Sequence, residues 1–179
     1  SFPTRRSSDL FIRMLKLPPE VRARYDVSSL EAVVHAAAPC PPDVKRAMIE
    51  WLGPIIEEFY AGSEGNGHVM ISSAEWLTRP GSVGRAVVGQ LHICDDDGKE
   101  LPVGDTGTIY FSGGRPINYH NDPAKSASAR NPKHPDWTTM GDIGRVDEEG
   151  YLFLSDRKDF MIIAGGVNVY PQEVENLLV

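Results

Sequence analysis

The sequence predicts an α/β fold, in which a strand–helix–strand unit is followed by short antiparallel strands. The first 60 residues contain two apolar, strand-like segments separated by an amphipathic helical segment, with short connections between them. This order is typical of neighbouring parallel strands joined by a helix. From residue 89 onward, short apolar segments alternate with turns rich in Asp and Gly, which predicts antiparallel hairpins.

Three segments define the first part of the chain. Pro18-Pro19 predicts a short helix that extends to Arg24, and residues 30–34 (LEAVV) predict a buried strand. A longer helix is expected to begin at residues 41–43 (PPD), because Pro and an acidic residue are favourable in a first turn. Its expected apolar stripe consists of Val44, Ala47, Met48 and either Trp51 or Leu52.

Two loops follow predicted parallel strands directly. Gly53-Pro54 is expected to end the helix, and residues 55–60 (IIEEFY) form the next predicted strand. The loops 36–38 and 61–64 then lie beyond the carboxyl ends of the two strands, where α/β sheets bind their ligands. The residues also permit a plainer interpretation, in which the alanines close a packed strand end and Tyr60 is a core aromatic residue.

The second part contains two predicted hairpins. Residues 89–94 and 108–111 are strand-like and are separated by the turn Asp95-Asp96-Asp97-Gly98-Lys99. The acidic triplet lacks the distal Glu of a calcium-binding loop, so a solvated turn is expected. Residues 118–136 are polar and contain Pro, which predicts a surface loop. The second hairpin consists of strands 143–146 and 151–154, and an apolar strand, a Gly-Gly turn and a short strand leading into a helix follow it.

Polar residues lie at both ends of the second hairpin. Asp142 is at its mouth and Asp156-Arg157 at its exit. A carboxylate can accept hydrogen bonds from both hydroxyls of a ribose, and a guanidinium can donate to hydroxyl or phosphate oxygens. On spacing alone, a loop acid and a solvated ion pair remain the simpler interpretation.

Composition excludes several classes of function. The 179 residues are 41% hydrophobic and 24% charged, with a net charge of −7, which argues against nucleic acid as the main partner. The length permits one domain and part of another, and no apolar run is long enough for an integral membrane segment. Cys40 and Cys94 are isolated and the five His residues lack metal-ligand spacing, so neither disulfides nor zinc are indicated. A cytoplasmic protein is predicted.

The first ten residues, SFPTRRSSDL, resemble a translated sequencing adapter fused to a gene fragment. A basic, Ser-rich beginning is also found in transit peptides, but ten residues are too few and no adequate amphipathic segment follows. We therefore assign residues 1–10 to a non-native leader and expect the native sequence to begin near Phe11.

Three motifs occur in an order that is specific to one superfamily. Residues 137–142 (WTTMGD) resemble the motif W-x-x-T-G-D, and residues 60–64 (YAGSE) are similar to Y-G-x-T-E. Residues 156–175 resemble D-R-x-K-x-x-I-x-x-x-G-x-x-V-x-P-x-E-V-E. The segment from Leu30 to Val179 therefore resembles the adenylate-forming, AMP-dependent acyl-CoA synthetases, most closely the fatty-acid and related acyl-CoA ligases. Met140 and Ala61 depart from the commoner residues of these motifs.

The resemblance implies a domain organisation. Residues 11–155 would be the C-terminal part of the large AMP-binding domain, with a βαβ sheet portion and an antiparallel, β-barrel-like subdomain. Residues 156–179 would begin the small α+β C-terminal domain. The Ser/Thr/Gly-rich phosphate loop and the distal catalytic Lys of these enzymes have no counterpart in the chain, so we expect the isolated fragment to be inactive or nearly so.

The resemblance also implies residue roles. Glu64 would bind Mg²⁺, Ser63 would donate to the α-phosphate of the nucleotide, and Tyr60 would stack on adenine. Gly62 and Ala37 would contact the nucleotide from the two loops. Asp142 would bind the ribose hydroxyls with support from Arg157, and Asp156 would be the hinge of the small domain. Gly165 and Gly166 would border the channel for the pantetheine arm of CoA.

The implied reaction is a two-step ligation. A carboxylic acid, expected to be a fatty acid, reacts with ATP and Mg²⁺ to give acyl-AMP, and the thiol of the substrate CoA then displaces AMP. Two alternatives stay open: an adenylating enzyme that uses a carrier protein or a luciferase-like step, and a non-catalytic nucleotide-binding fragment. The sequence does not indicate which acid is used, nor the oligomeric state.

Overall fold

A computed structural model describes residues 7–37, 40–157, 162–164 and 167–169 of the chain. The helices are α1 (Ser7–Leu15), α2 (Pro19–Arg22), α3 (Pro42–Leu52), α4 (Ser73–Thr78) and α5 (Pro123–Ser128). The strands are β1 (Val33–His35), β2 (Ile56–Ala61), β3 (His68–Ile71), β4 (Ser82–Val88), β5 (Gln90–Cys94), β6 (Gly107–Ser112), β7 (Asp142–Val146), β8 (Leu152–Arg157), β9 (Ile162–Ala164) and β10 (Val167–Val169).

The strands form one mixed sheet and one separate hairpin. The order in the sheet is β1-β2-β3-β4-β8-β7-β6-β5, while β9 pairs with β10. β1 and β2 are parallel, with Val33 opposite Ile56, which confirms the predicted strand–helix–strand unit. β5 pairs with β6, β6 with β7 and β7 with β8, all antiparallel, which confirms the predicted antiparallel part of the α/β fold; its barrel-like form stays a prediction.

The chain divides into two compact units. Unit 1 contains the described residues as far as Tyr60 together with Met70–Gly84, and unit 2 contains Ala61–Val69 and the described residues from Arg85 onward. The strand β1 begins at Val33, three residues later than the sequence predicted. No helix among the described residues is long and apolar enough to cross a membrane.

In unit 1, the structure corrects the predicted apolar stripe of α3. The buried residues of this helix are Lys45, Met48 and Ile49, whereas Val44 and Ala47 are only partly buried. Lys45 is fully enclosed because its ammonium group pairs with Glu58 of β2 at 2.5 Å. A pattern of hydrophobic residues cannot place a lysine in the core, since lysine is almost never fully buried unless it is paired.

In unit 2, both predicted hairpin turns are confirmed. Asp95 and Lys99 exchange hydrogen bonds across the first turn, and Cys94 then faces Glu100. The next strand, β6, begins at Gly107, one residue before its predicted start. In the turn of the second hairpin, the carboxylate of Asp147 accepts a hydrogen bond from the backbone N–H of Tyr151 at 2.9 Å.

The predicted surface loop 118–136 contains the short helix α5. Asp122 caps this helix, because its Oδ1 accepts a hydrogen bond from the backbone N–H of Lys125 at 2.9 Å. Pro123 occupies the first helical position, where its missing N–H costs nothing. The sequence therefore contained a local signal for this helix, Asp followed by Pro. The polar composition of residues 118–136 led instead to the prediction of a loop.

Candidate active site

Two of the motif loops pack against each other within unit 2. A Cβ added at Gly62 would overlap the Sδ atom of Met140, so the 61–64 loop and the 137–142 loop approach each other closely at this glycine. Asn66, which is 1% exposed, donates from Nδ2 to the backbone carbonyl of Thr138 at 3.1 Å. Asn66, two residues after the first motif, and Thr138 of the second are 72 residues apart in sequence, and the fold brings them into direct contact.

Glu64 lies at the junction of the 61–64 and 137–142 loops, where it has a neighbour on each side of its carboxylate. Its Oε1 accepts a hydrogen bond from the hydroxyl of Tyr119 at 3.2 Å. Its other oxygen, Oε2, would be only 2.5 Å from a Cβ at Gly62, so the glycine leaves the space that the carboxylate uses. Glu64 is partly exposed, and Ser63 beside it is exposed. A carboxylate with this environment is ordered and still accessible from solvent.

Asp142 begins β7 and is 9% exposed. In the backbone register it lies opposite Arg157, and Ile143 lies opposite Asp156. The next pair is Gly144 with Leu154, so β8 contains one extra residue at Ser155. A bulge of this kind increases the local twist and interrupts the ladder just before Asp156. Only the backbone is described for Asp156 and Arg157, and Gly165 and Gly166 lie outside the described residues.

Ala37 and Tyr60 belong to unit 1. Ala37 has a φ of +68°, in the left-handed region that is unfavourable for a residue with a Cβ. Strained backbone of this type is concentrated at ligand-binding loops, where the surrounding structure fixes it. Tyr60 is close to the end of β2 and is partly exposed. Its partial exposure differs from that of a fully buried core aromatic residue.

Glu58, two residues before Tyr60, is part of a buried polar cluster in unit 1. His35 is its parallel-strand neighbour, with Nε2 at 3.5 Å from Glu58 Oε2, and Lys45 pairs with the same oxygen. Burial raises the pKa of Glu58, an effect that the neighbouring ammonium of Lys45 opposes. Burial, together with the positive charge of Lys45, lowers the pKa of His35 to about 4, so this imidazole is neutral at pH 7.

The same burial lowers the pKa of Lys45, against the attraction of Glu58. The ammonium also lies 5.0 Å from the ring centroid of Trp76 on α4. The cluster therefore joins β1, β2, α3 and α4, and the Glu58 carboxylate is engaged inside unit 1. A direct contact between Glu58 and a nucleotide base is not expected, since the carboxylate would have to leave Lys45 unpaired.

The donors present fit Mg²⁺ that is also bound to a nucleotide. Among the described residues, no group of three or more His, Cys, Asp or Glu side chains could hold a metal ion. Magnesium commonly takes one or two protein carboxylates and completes its shell with water and substrate phosphates. Glu64, ordered through Tyr119 and partly exposed, meets that requirement.

Sequence reasoning missed three residues at this junction. Tyr119, Asn66 and Met140 connect the motif loops, but they lie in a predicted surface loop or at positions where no chemistry was assigned. A signal for Asn66 existed, because an amide between two glycines in E-G-N-G is typical of a tight loop with side chain to backbone hydrogen bonds. No local signal indicated that Tyr119 would reach Glu64.

Comparison with known proteins identifies the class to which this fold and junction belong. The family model described as AMP-binding enzyme matches residues 7–116. The chain therefore belongs to the AMP-binding family of adenylate-forming enzymes. The match includes four residues of the proposed leader, and the assignment of residues 1–10 as non-native stays a prediction.

The relatives are CoA ligases with different acid substrates. Indoleacetate–CoA ligase of Aromatoleum aromaticum is 34% identical over 155 residues, which are 86% of this chain and 30% of that protein. Long-chain-fatty-acid–CoA ligase of Bacillus subtilis is 31% identical over 163 residues, with 89% and 28% covered. The chain thus spans about 30% of the length of the curated relatives that it matches.

Solved structures share the fold. Amide bond synthetase McbA from Marinactinospora thermotolerans has a TM-score of 0.81 and 28% identity, covering 96% of this chain and 34% of that one. ATP-bound MatB from Rhodopseudomonas palustris has a TM-score of 0.76 and 29% identity, covering 94% and 33%. The predicted family is confirmed, and MatB, which shares this fold, was solved with ATP bound.

Proposed function

We propose that the complete gene product containing this chain is an ATP-dependent, AMP-forming acyl-CoA ligase, and that its acid substrate is a fatty acid. The observation that carries the proposal is the contact between the 61–64 and 137–142 loops, through Gly62 with Met140 and Asn66 with Thr138. It gathers the residues expected to bind phosphate, metal and ribose into one compact unit. The fatty acid is suggested by the long-chain ligase among the relatives.

Nucleotide binding would use separate groups for the ribose, the α-phosphate and the adenine. The carboxylate of Asp142 accepts hydrogen bonds from the ribose hydroxyls, and the guanidinium of Arg157, opposite it in the β7–β8 ladder, adds donors. The hydroxyl of Ser63 donates to the α-phosphate. Tyr60 and the loop at Ala37 provide contacts for adenine, and the backbone of Gly62 contacts the nucleotide. The groups of unit 2 hold the ribose and the α-phosphate of AMP in place for both half-reactions.

Mg²⁺, when bound with ATP, would withdraw negative charge from the phosphates and so assist attack by the substrate carboxylate. Glu64 would hold the ion from the protein side, with its carboxylate oriented by Tyr119. The acid then forms a mixed anhydride with AMP and pyrophosphate leaves. In the second half-reaction the CoA thiol forms the thioester and AMP is released.

The small domain would turn at Asp156 between these steps. The bulge at Ser155 interrupts the ladder immediately before that residue, which favours a change of backbone direction there. Gly165 and Gly166 would then border the channel for the pantetheine arm. The absence of side chains at two consecutive positions suits close passage of a long, flexible substrate.

A second candidate is adenylation followed by transfer to another acceptor. The similarity to an amide bond synthetase favours it, because that enzyme shares the fold over 96% of this chain. The two candidates differ in the final nucleophile only. Supplying the complete gene product with fatty acid, ATP and either CoA or a primary amine separates them, since a thioester forms in one case and an amide in the other.

The test is the variant Asp142→Ala in the complete gene product. Loss of hydrogen bonds to a charged acceptor is expected to lower kcat/KM for ATP by about 10- to 100-fold in CoA thioester formation. Asp105→Ala, which removes an exposed carboxylate from the same unit, is the matched control and is expected to retain wild-type activity. Unchanged kinetics in Asp142→Ala would contradict the proposed site.

The 179-residue chain gives a separate test of the missing elements. Assayed by itself with fatty acid, ATP, Mg²⁺ and CoA, it is expected to form no acyl-AMP above the level of a reaction without protein. Formation of acyl-AMP at a rate near that of the complete gene product would show that a phosphate loop and a distal Lys are unnecessary for this family member.

A further inference from the structure

We propose that Tyr119 is a positioning residue for the cation-binding carboxylate of Glu64, and that it thereby sets the affinity for the divalent cation bound with ATP. This inference rests on the proposed function, because it assigns a role within the same site. The observation behind it is the hydrogen bond from the Tyr119 hydroxyl to Glu64 Oε1 at 3.2 Å, between residues 55 positions apart.

The loop that carries Tyr119 is fixed by contacts that do not involve the phenol. The backbone N–H of Tyr119 donates to Ser126 Oγ at 2.8 Å, and the backbone N–H of Asp122 donates to the Tyr119 carbonyl at 3.3 Å. Ser126 Oγ also donates to the carbonyl of Asp122 at 2.8 Å. Removal of the hydroxyl therefore leaves the loop with these hydrogen bonds.

The carboxylate of Glu64 needs such an orienting group. A Glu side chain has three rotatable bonds, and a partly exposed one samples several rotamers unless a partner selects one. Tyr119 takes Oε1, while Gly62 leaves room for Oε2 on the other side. One oxygen is thus committed to the protein, and the direction of the second is fixed for a ligand.

Lys125 adds a smaller contribution. Its ammonium lies 4.3 Å from the centroid of the Tyr119 ring, a distance at which a cation is attracted to the ring face. The positive charge restrains the ring and makes the phenol a better hydrogen-bond donor. Because Lys125 is exposed, this contribution is screened by solvent and is expected to be modest.

The direct test measures cation binding without turnover. In the complete gene product, Mn²⁺ binding in the presence of α,β-methylene-ATP is followed by electron paramagnetic resonance. Tyr119→Phe is expected to weaken Mn²⁺ affinity by about tenfold, the lower end of the range for loss of one hydrogen bond to a charged group. In steady-state assays, KM for MgATP rises by a similar factor, while KM for the acid and the melting temperature stay at wild-type values.

Three further variants separate this role from a structural one. Tyr25→Phe, at a tyrosine that is 69% exposed in unit 1, is the matched control and should leave Mn²⁺ affinity unchanged. Lys125→Met should weaken it by about twofold. Glu64→Gln should abolish tight binding. If Tyr119→Phe keeps wild-type Mn²⁺ affinity while Glu64→Gln loses it, the role of Tyr119 is overturned and the metal role of Glu64 stands. If Glu64→Gln keeps wild-type affinity, the metal role of Glu64 is overturned, and with it the role of Tyr119.

Discussion

The buried pair of Lys45 and Glu58 gives a prediction whose magnitude follows from the structure. Lys45→Met keeps most of the side-chain volume and removes the ammonium that lies 2.5 Å from Glu58 Oε2. The carboxylate, with its side chain 8% exposed, is then left without its cationic partner. Breaking a buried ion pair in this way costs about 3–5 kcal/mol when the remaining charge must stay ionised.

Protonation of Glu58 limits this cost and makes it depend on pH. The ordinary pKa of the residue is 4.5. Neutralising the carboxyl at pH 7 therefore costs about 3 kcal/mol, and at pH 5 it costs about 1 kcal/mol. In Lys45→Met the pKa of Glu58 rises further, so the variant should lose about 3 kcal/mol of unfolding free energy at pH 7 and about 1 kcal/mol at pH 5.

The assay is urea-induced unfolding of the 179-residue chain, followed by circular dichroism at both pH values. The double variant Lys45→Met/Glu58→Gln is the control, because it leaves no buried charge and should recover most of the loss at pH 7. The comparison is repeated in a His35→Gln background, which removes the imidazole at 3.5 Å as a substitute partner. An equal loss in Lys45→Met at pH 7 and pH 5 would refute the reasoning.

Two further predictions concern unit 1. The folded-state pKa of His35 is about 4 and its ordinary value is 6.5, so the unfolded chain binds the proton at a higher pH than the folded chain. The contribution of His35 to the unfolding free energy is therefore fully present above pH 6.5, and it falls by about 2–3 kcal/mol as the pH drops to 4. His35→Gln should remove that part of the pH dependence, and an unaltered profile in urea unfolding would contradict a buried neutral imidazole. Ala37→Gly should raise the unfolding free energy by about 1 kcal/mol, because glycine adopts a φ of +68° without penalty, although the greater freedom of glycine in the unfolded chain offsets part of this gain. A lower melting temperature in Ala37→Gly would indicate that the left-handed conformation is not strained in this loop.

The sequence predicted the strands well where a single local signal was decisive. The hairpin turn at Asp147–Gly150 and the parallel pairing of β1 with β2 follow from turn residues and from short apolar segments joined by a helix. It failed on the face of α3, because Lys45 is buried only by virtue of Glu58, thirteen residues away. It also failed on α5, where overall polarity outweighed the capping signal of Asp122.

By itself, the sequence determined the family of this protein, its strand–helix–strand unit and two hairpin turns, and the identities of the residues expected to bind nucleotide. Only the tertiary structure decided which of those residues meet: the contact of Gly62 with Met140, the hydrogen bond from Tyr119 to Glu64 and the enclosed Lys45–Glu58 pair. The physical reason is the distance along the chain over which each kind of interaction acts. Turn chemistry and periodicity act over a few residues, whereas burial and hydrogen bonds join residues that are distant in the chain, and their partners are fixed only when the sheet has formed.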